Sequence, residues 1–154
     1  MKAKIFVSGC LGGAKIRYNG TGVQMGCAIW SQWESEERLF YFCPELSAGF
    51  TVPRPAAEVV GGTAKDVIAR TANVIENTGN NVTELFIQGA KLAVEAAQRE
   101  NVIMVILTDG SPSCGSTYLD AGNFDGEIIS GRGVLSQMFI DAGIEVFSHT
   151  NISD

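Results

Sequence analysis

The run VIMVILT, residues 102–108, is apolar up to its closing threonine and follows directly on a helical pattern; no other stretch restricts the fold of this chain so narrowly. With no polar residue alternating along it, the run predicts a strand buried on both faces, the form expected in a parallel sheet covered by helices. The helical pattern before it spans 81–101. Leu85, Gly89, Leu92 and Ala96 recur there at helical spacing, and Asn81 with Glu84 three residues on predicts a capping box.

The same alternation closes the chain. GVLSQMFIDAG (133–143) sets Val134, Leu135, Met138 and Ala142 on one helical face and stops at Gly143, after which IEVF predicts a last strand. Two earlier runs, AKIFVSG (3–9) and LFYFC (39–43, broken by Pro44), predict further short strands. Residues 116–131, with Gly122, Gly126 and Gly131, predict an excursion or hairpin, while 51–80 shows no clear period. The expected architecture is α/β, a single domain over residues 1–154 with a mainly parallel sheet and helices on both faces, Rossmann-like.

Three cysteines stand at or just beyond the carboxyl ends of predicted strands: Cys10 after VSG, Cys43 at the end of LFYFC, and Cys114 in SPSCG. In an open parallel sheet those ends share one edge, where such folds place their ligands, so the three thiols are expected to converge. Cys27 lies in an apolar stretch between Gly26 and Ala28 and reads as a core thiol. The chain has no C-x-x-C pair, which disfavours a zinc ribbon, a thioredoxin-type motif and a clustered ferredoxin pattern. Three dispersed thiolates suit a cubane iron-sulfur cluster with one iron lacking a protein ligand, or zinc completed by a fourth ligand such as the only histidine, His149. In CPELSAGFTVPRP, Glu45 stands two residues from Cys43, placed either for general-base work or as a solvated loop acid. Arg54 in the same string is positioned to anchor substrate or to brace its own loop.

Charge and composition exclude several alternatives. Lys and Arg number 11 against 17 Asp and Glu, a net charge of -6, which gives no basic footprint for nucleic acid. The apolar segment before Ser8 is too short for a signal peptide, and no run approaches the ~20 residues of a membrane span, so a cytoplasmic protein without membrane contact is expected. In that reducing setting the cysteines are expected as ligands, catalysts or core thiols, not disulfides. GCLGGAK lacks the spacing of a phosphate loop, and GSPSC is not the nucleophile elbow of a hydrolase.

Taken together, SGCLGG, RYNG, CPELSAGFTVPRP, SPSCG and the late GRGVLSQMFIDAGIEVFS resemble the thiouracil desulfidase family over nearly the whole chain. The order CPE, then PRP, then SPSCG is the specific part of the match. The resemblance implies a four-iron, four-sulfur (4Fe-4S) cluster held by Cys10, Cys43 and Cys114, with one open iron and with Glu45 and Ser111 as the catalytic pair. It departs from the usual family pattern at Asn81, at Thr108 and in TYLDAGNF. The implied activity is non-redox, hydrolytic desulfuration of a thiolated pyrimidine, free base or nucleoside, with hydrosulfide released. The alternatives are a non-catalytic iron-sulfur or zinc sensor, which has no use for Glu45 or Ser111, and desulfuration of thiolated tRNA, which the acidic total disfavours.

Overall fold

A computed structural model describes residues 3–11, 20 and 25–152. The RYNG stretch falls largely outside them, as do the two glycines that end SGCLGG. Four strands, β1 (Ile5–Ser8), β2 (Leu39–Phe42), β5 (Met104–Leu107) and β8 (Glu145–Ser148), form one sheet in the order β2-β1-β5-β8, every neighbouring pair parallel. Two small antiparallel pairs lie outside it: β3 (Ala57–Val60) with β4 (Asn73–Glu76), and β6 (Tyr118–Asp120) with β7 (Ile128–Ser130). The second is the hairpin expected from the glycines of 116–131. The first, with the short helix α3 (Ala64–Ile68) between its strands, accounts for the stretch that had no legible period.

Strand alternation divides the apolar residues between two cores. Phe6, Val105 and Leu107 point to the face covered by α4 (Thr83–Arg99) and α5 (Val134–Asp141), where the Phe6 ring meets Phe139 at 5.0 Å. Ile5, Val7 and Ile106 point to the other face, against Leu11 and Trp30 of α1 (Ala28–Ser35). The continuous apolar run is thus the centre of the sheet, buried on both sides. Its counterpart LFYF forms the edge strand β2 and is only half-buried, with Tyr41 turned outward. Among the described residues no helix is long and apolar enough to cross a membrane.

The long helix differs from its sequence expectation in two ways. Its buried face is built from Phe86, Ile87, Gly89, Ala90, Ala93, Ala96 and Ala97, whereas Leu85 is 40% exposed. Small residues win the sheet side because they let the helix axis approach. The capping box is also absent: Val82 is the N-cap and Asn81 Oδ1 instead accepts hydrogen bonds from Thr83 N and Oγ1, while Glu84 pairs with Arg70 at 3.3 Å. The face read for α5 is corrected likewise, since Ala142 is exposed and Phe139 occupies the core. Gly143 ends that helix with φ +79°, as its position predicts.

Gly89 determines where the CPE segment lies. A Cβ at this position would stand 2.4 Å from the carbonyl oxygen of Pro44, so helix α2 (Pro44–Ser47) rests directly on the backbone of α4. Gly89→Ala is expected to force the two apart and cost about 1–3 kcal/mol. Thermal unfolding checks this, with Tm falling roughly 2–4 °C per kcal/mol in a chain of this size; an unchanged Tm would show that the segment yields freely.

Candidate active site

All of the parallel strands discharge their loops at one edge, and the site is assembled there. β1 runs into a 3-10 turn, Gly9–Leu11, that carries Cys10. β2 ends immediately before Cys43, the N-cap residue of α2, and Glu45 sits in the first turn of that helix. β5 runs through Thr108 and Asp109 into SPSCG. One cavity is lined by Cys10, Cys43, Cys114, Glu45, Arg54 and Ser111, joined by Ser8 and Thr108 at the strand ends. The three cysteines, Glu45, Arg54 and Ser111 are therefore brought to a single place, without His149. Cys27 is not among them: it packs, partly buried, against the core that includes Trp30.

The SPSCG loop is held by backbone groups. The helix α5 has no side-chain cap, and its leading amides donate instead to the loop: Gly133 N to Gly115 O at 2.7 Å, Val134 N to Pro112 O at 2.8 Å and Leu135 N to Ser113 O at 2.9 Å. The donors that a helix start leaves unpaired and the carbonyls that a tight loop leaves unpaired satisfy one another. The contact is so close that a Cβ on Gly133 would stand 2.4 Å from Ser113 O. Within the loop, Ser111 Oγ accepts from Cys114 N at 2.6 Å, which leaves the Ser111 hydroxyl proton available to another acceptor.

Asp109 had no assigned role in the sequence reading, although an Asp-Gly pair after a strand is a turn signal. Its Oδ1 accepts from the amides of Gly110, Ser116, Thr117 and Tyr118, and its Oδ2 from the Thr117 hydroxyl. Burial acts to raise its pKa, but these donors, Thr117 foremost, outweigh it and bring the carboxyl down to about 2. The Asp109 amide in turn donates to His149 Nδ1 at 3.1 Å, and His149 does not line the thiol cavity.

The thiols sense one another. Burial first, then the charge of Glu45, push the Cys43 thiol up to about 12, and its Sγ stands 3.5 Å from Glu45 Oε2. Cys114 is raised well above its ordinary value by burial, then by Glu45, with Cys10 and Cys43 adding to the effect. Cys10 Sγ shares a 2.9 Å hydrogen bond with Thr108 Oγ1, and Ser8 Oγ accepts from Thr108 N at 3.0 Å. The Cys43 and Cys114 thiols stay protonated until a cation displaces their protons. Among the described residues no three of the Cys, His, Asp and Glu side chains close on one point as a single ion requires. Three thiols round one cavity are a donor set of the kind that holds iron-sulfur groups.

A second cavity adjoins the first and is the roomier, about 200 Å³ against about 70 Å³. Glu45, Arg54 and Ser111 line both. Arg54 also braces its own loop, donating from Nη1 to Thr51 O at 3.2 Å, so both readings of that residue hold in geometry.

Comparison with known proteins identifies a family and a like fold. Residues 5–151 match the family described as 2-thiouracil desulfurase. The uncharacterized protein YbbK of Bacillus subtilis (strain 168) is 39% identical over 150 residues, covering 97% of this chain and 98% of its own length. The solved structure of the 4Fe-4S-dependent thiouracil desulfidase TudS matches with a TM-score of 0.89 at 34% identity, over 98% of this chain and 93% of that one.

Replacing Asp109 by Ala strands the amides of Ser116, Thr117 and Tyr118 and is expected to destabilise the protein by about 1–3 kcal/mol. Because the folded pKa lies near 2 and the ordinary value is 3.8, the stability that this carboxylate contributes is fully present above about pH 4 and lost as pH falls toward 2. Acid unfolding of wild type and Asp109→Ala should therefore differ most above pH 4 and converge below it; parallel curves at all pH values would refute the role.

Proposed function

The chain belongs to the 2-thiouracil desulfurase family, and from that premise we propose that it is an iron-sulfur-dependent desulfidase converting the C=S of a thiolated pyrimidine to C=O. The reaction consumes water and releases hydrosulfide with no net electron transfer. The observation that carries this reading is the shared wall of the two cavities. Thiols line one side of it, space for a small heterocycle lies on the other, and Glu45, Arg54 and Ser111 lie between.

Cys10, Cys43 and Cys114 would hold a 4Fe-4S cluster and leave one iron without a protein ligand. Bound there, the cluster supplies a soft Lewis acid that polarises a thiocarbonyl. The remaining work falls to side chains. Glu45 is 9% exposed and close to both cavities, so its carboxylate takes the proton from the attacking water or from the Ser111 hydroxyl. Ser111 either attacks the thiocarbonyl carbon or orients the water that does. Its loop is fixed by the Cys114 amide, so the oxygen has little freedom to stray. Arg54 anchors the carbonyl of the substrate at the boundary between the cavities. A passive sensor would need the three thiols alone.

Prepared without oxygen, the protein should be brown and contain iron and acid-labile sulfide in about equal amounts. Alanine at Cys10, Cys43 or Cys114 should abolish that content and alanine at Cys27 should spare it. Colourless protein with stoichiometric zinc would overturn the cofactor assignment.

Glu45→Ala and Ser111→Ala should keep their iron and lose ~100 to 10,000-fold in hydrosulfide release from thiouracil. Measuring iron and activity on the same samples separates lost chemistry from lost cofactor. Full activity in both variants would remove the assigned roles.

A further inference from the structure

A third cavity lies among α3, α5 and the end of β7, and it shares no lining residue with the two described above. At about 440 Å³ it is larger than either. In a chain with a net charge of -6 its lining is distinctive: Lys65 of α3 and Arg132, between β7 and α5, contribute two cations, and no carboxylate lines it. Both residues are exposed. Neither has an acidic partner among the described residues, where Lys4, Arg38 and Arg70 each pair with a glutamate.

The neutral polar groups around these cations divide into two sets. Thr63 Oγ1 donates to Asp66, Gln137 Nε2 to Asp141 and Thr117 Oγ1 to Asp109, so these three are already occupied. Ser116 and Ser130 are not. The Ser116 Oγ is buried and has no hydrogen-bond partner. Ser130 closes β7, and among the described residues no group bonds its hydroxyl. A buried hydroxyl has given up its bonds to water, so an unpaired one is costly and marks a place where a further group completes the structure. The Ser116 amide is held on Asp109 Oδ1 at 3.0 Å, which puts this hydroxyl on a braced segment.

We propose that the cleft is a phosphate-binding site, in which the Lys65 ammonium, the Arg132 guanidinium and the hydroxyls of Ser116 and Ser130 donate to the oxygens of one phosphate group. A phosphate presents acceptor oxygens in several directions, as donors carried by a helix, a loop and a strand end require, and the guanidinium fork matches one of its edges. A carboxylate offers two oxygens in one plane and serves such a set less fully. Because the cleft shares no residue with the thiol cavity or its neighbour, the phosphate is bound independently of desulfuration. An occupant joins α3 to the segment that braces Asp109, so it also stabilises the fold.

Calorimetric titration of the full chain, prepared without oxygen, with inorganic phosphate, glycerol 3-phosphate and acetate tests this. At least one of the two phosphates should bind, one per chain, and acetate at least about tenfold more weakly, with phosphate affinity falling as salt is raised. Lys65→Gln and Arg132→Gln should each weaken phosphate binding about tenfold or more. Ser116→Ala should weaken it about threefold or more, yet should not lower Tm in phosphate-free buffer, because no bond within the protein is lost. Glu45→Ala, in the thiol cavity, should leave phosphate binding unchanged. Phosphate should raise the Tm of wild type above that in chloride of matched ionic strength, and this gain should vanish in Arg132→Gln.

Tighter binding of glycerol 3-phosphate than of inorganic phosphate would identify a phosphate carried on an organic molecule, and the reverse order the free ion; either supports the site. No binding of either phosphate would overturn the proposal, as would affinity retained in both Lys65→Gln and Arg132→Gln. A Ser116→Ala variant that loses Tm and keeps its affinity would show a structural hydroxyl and overturn it equally. The outcome does not depend on the desulfidase reading, since each measurement is made without turnover.

Discussion

Because β1 pairs in parallel with both β2 and β5, the loops leaving all three strands emerge at the same edge of the sheet, and residues separated by a hundred positions become neighbours. An antiparallel partner at any of these places would have sent its cysteine to the opposite edge. Parallel pairing requires a crossover on each connection, and the crossovers supply the helices that bury both faces. The chemistry therefore depends on strand direction before it depends on any side chain in the cavity. The helices then refine the placement: α4 seats the CPE turn through the gap at Gly89, and α5 seats SPSCG through its leading amides.

Charge is distributed with the same economy. The site gathers acids that water would otherwise keep apart, and each is handled differently. Asp109 is held as a carboxylate by local N–H and O–H donors and becomes a structural brace. Glu45 is left near thiols whose protons it helps retain. Glu76 and Asp120 face open space. One cavity edge thus gathers carboxylates in distinct surroundings although the residue chemistry is the same.

Much of this was legible in the sequence, for a physical reason. Strands such as VIMVIL declare themselves because burial on both faces leaves no polar position, and a cysteine at the exit of three of the four strands declares a shared edge once the sheet is parallel. The cysteines, Glu45 and Ser111 could be placed from local pattern and family likeness because each sits in a short motif. The helix face of α4 was misread because spacing alone does not distinguish a leucine that packs from one that faces water; the close approach at Gly89 and the alanines decides it. The Asn81 box failed because Thr83 competed for the same side chain. Phe50, Glu76, Phe86 and Asp120 were invisible as a group, since a loop, two strands and a helix bring them together and none carries a local signature.

The anchoring of SPSCG has a consequence for how a cofactor is received. Cys114 belongs to the main hydrophobic core, its loop carbonyls are bonded to α5, and its amide is bonded to Ser111. Fixing a residue's backbone costs about 1–2 kcal/mol in conformational entropy. For this loop that cost is met when the chain folds, together with the packing that offsets it. Any group that bound at Cys114 would find the thiol already in position and would not have to order the loop that carries it, so the gain from preorganisation would appear as tighter retention.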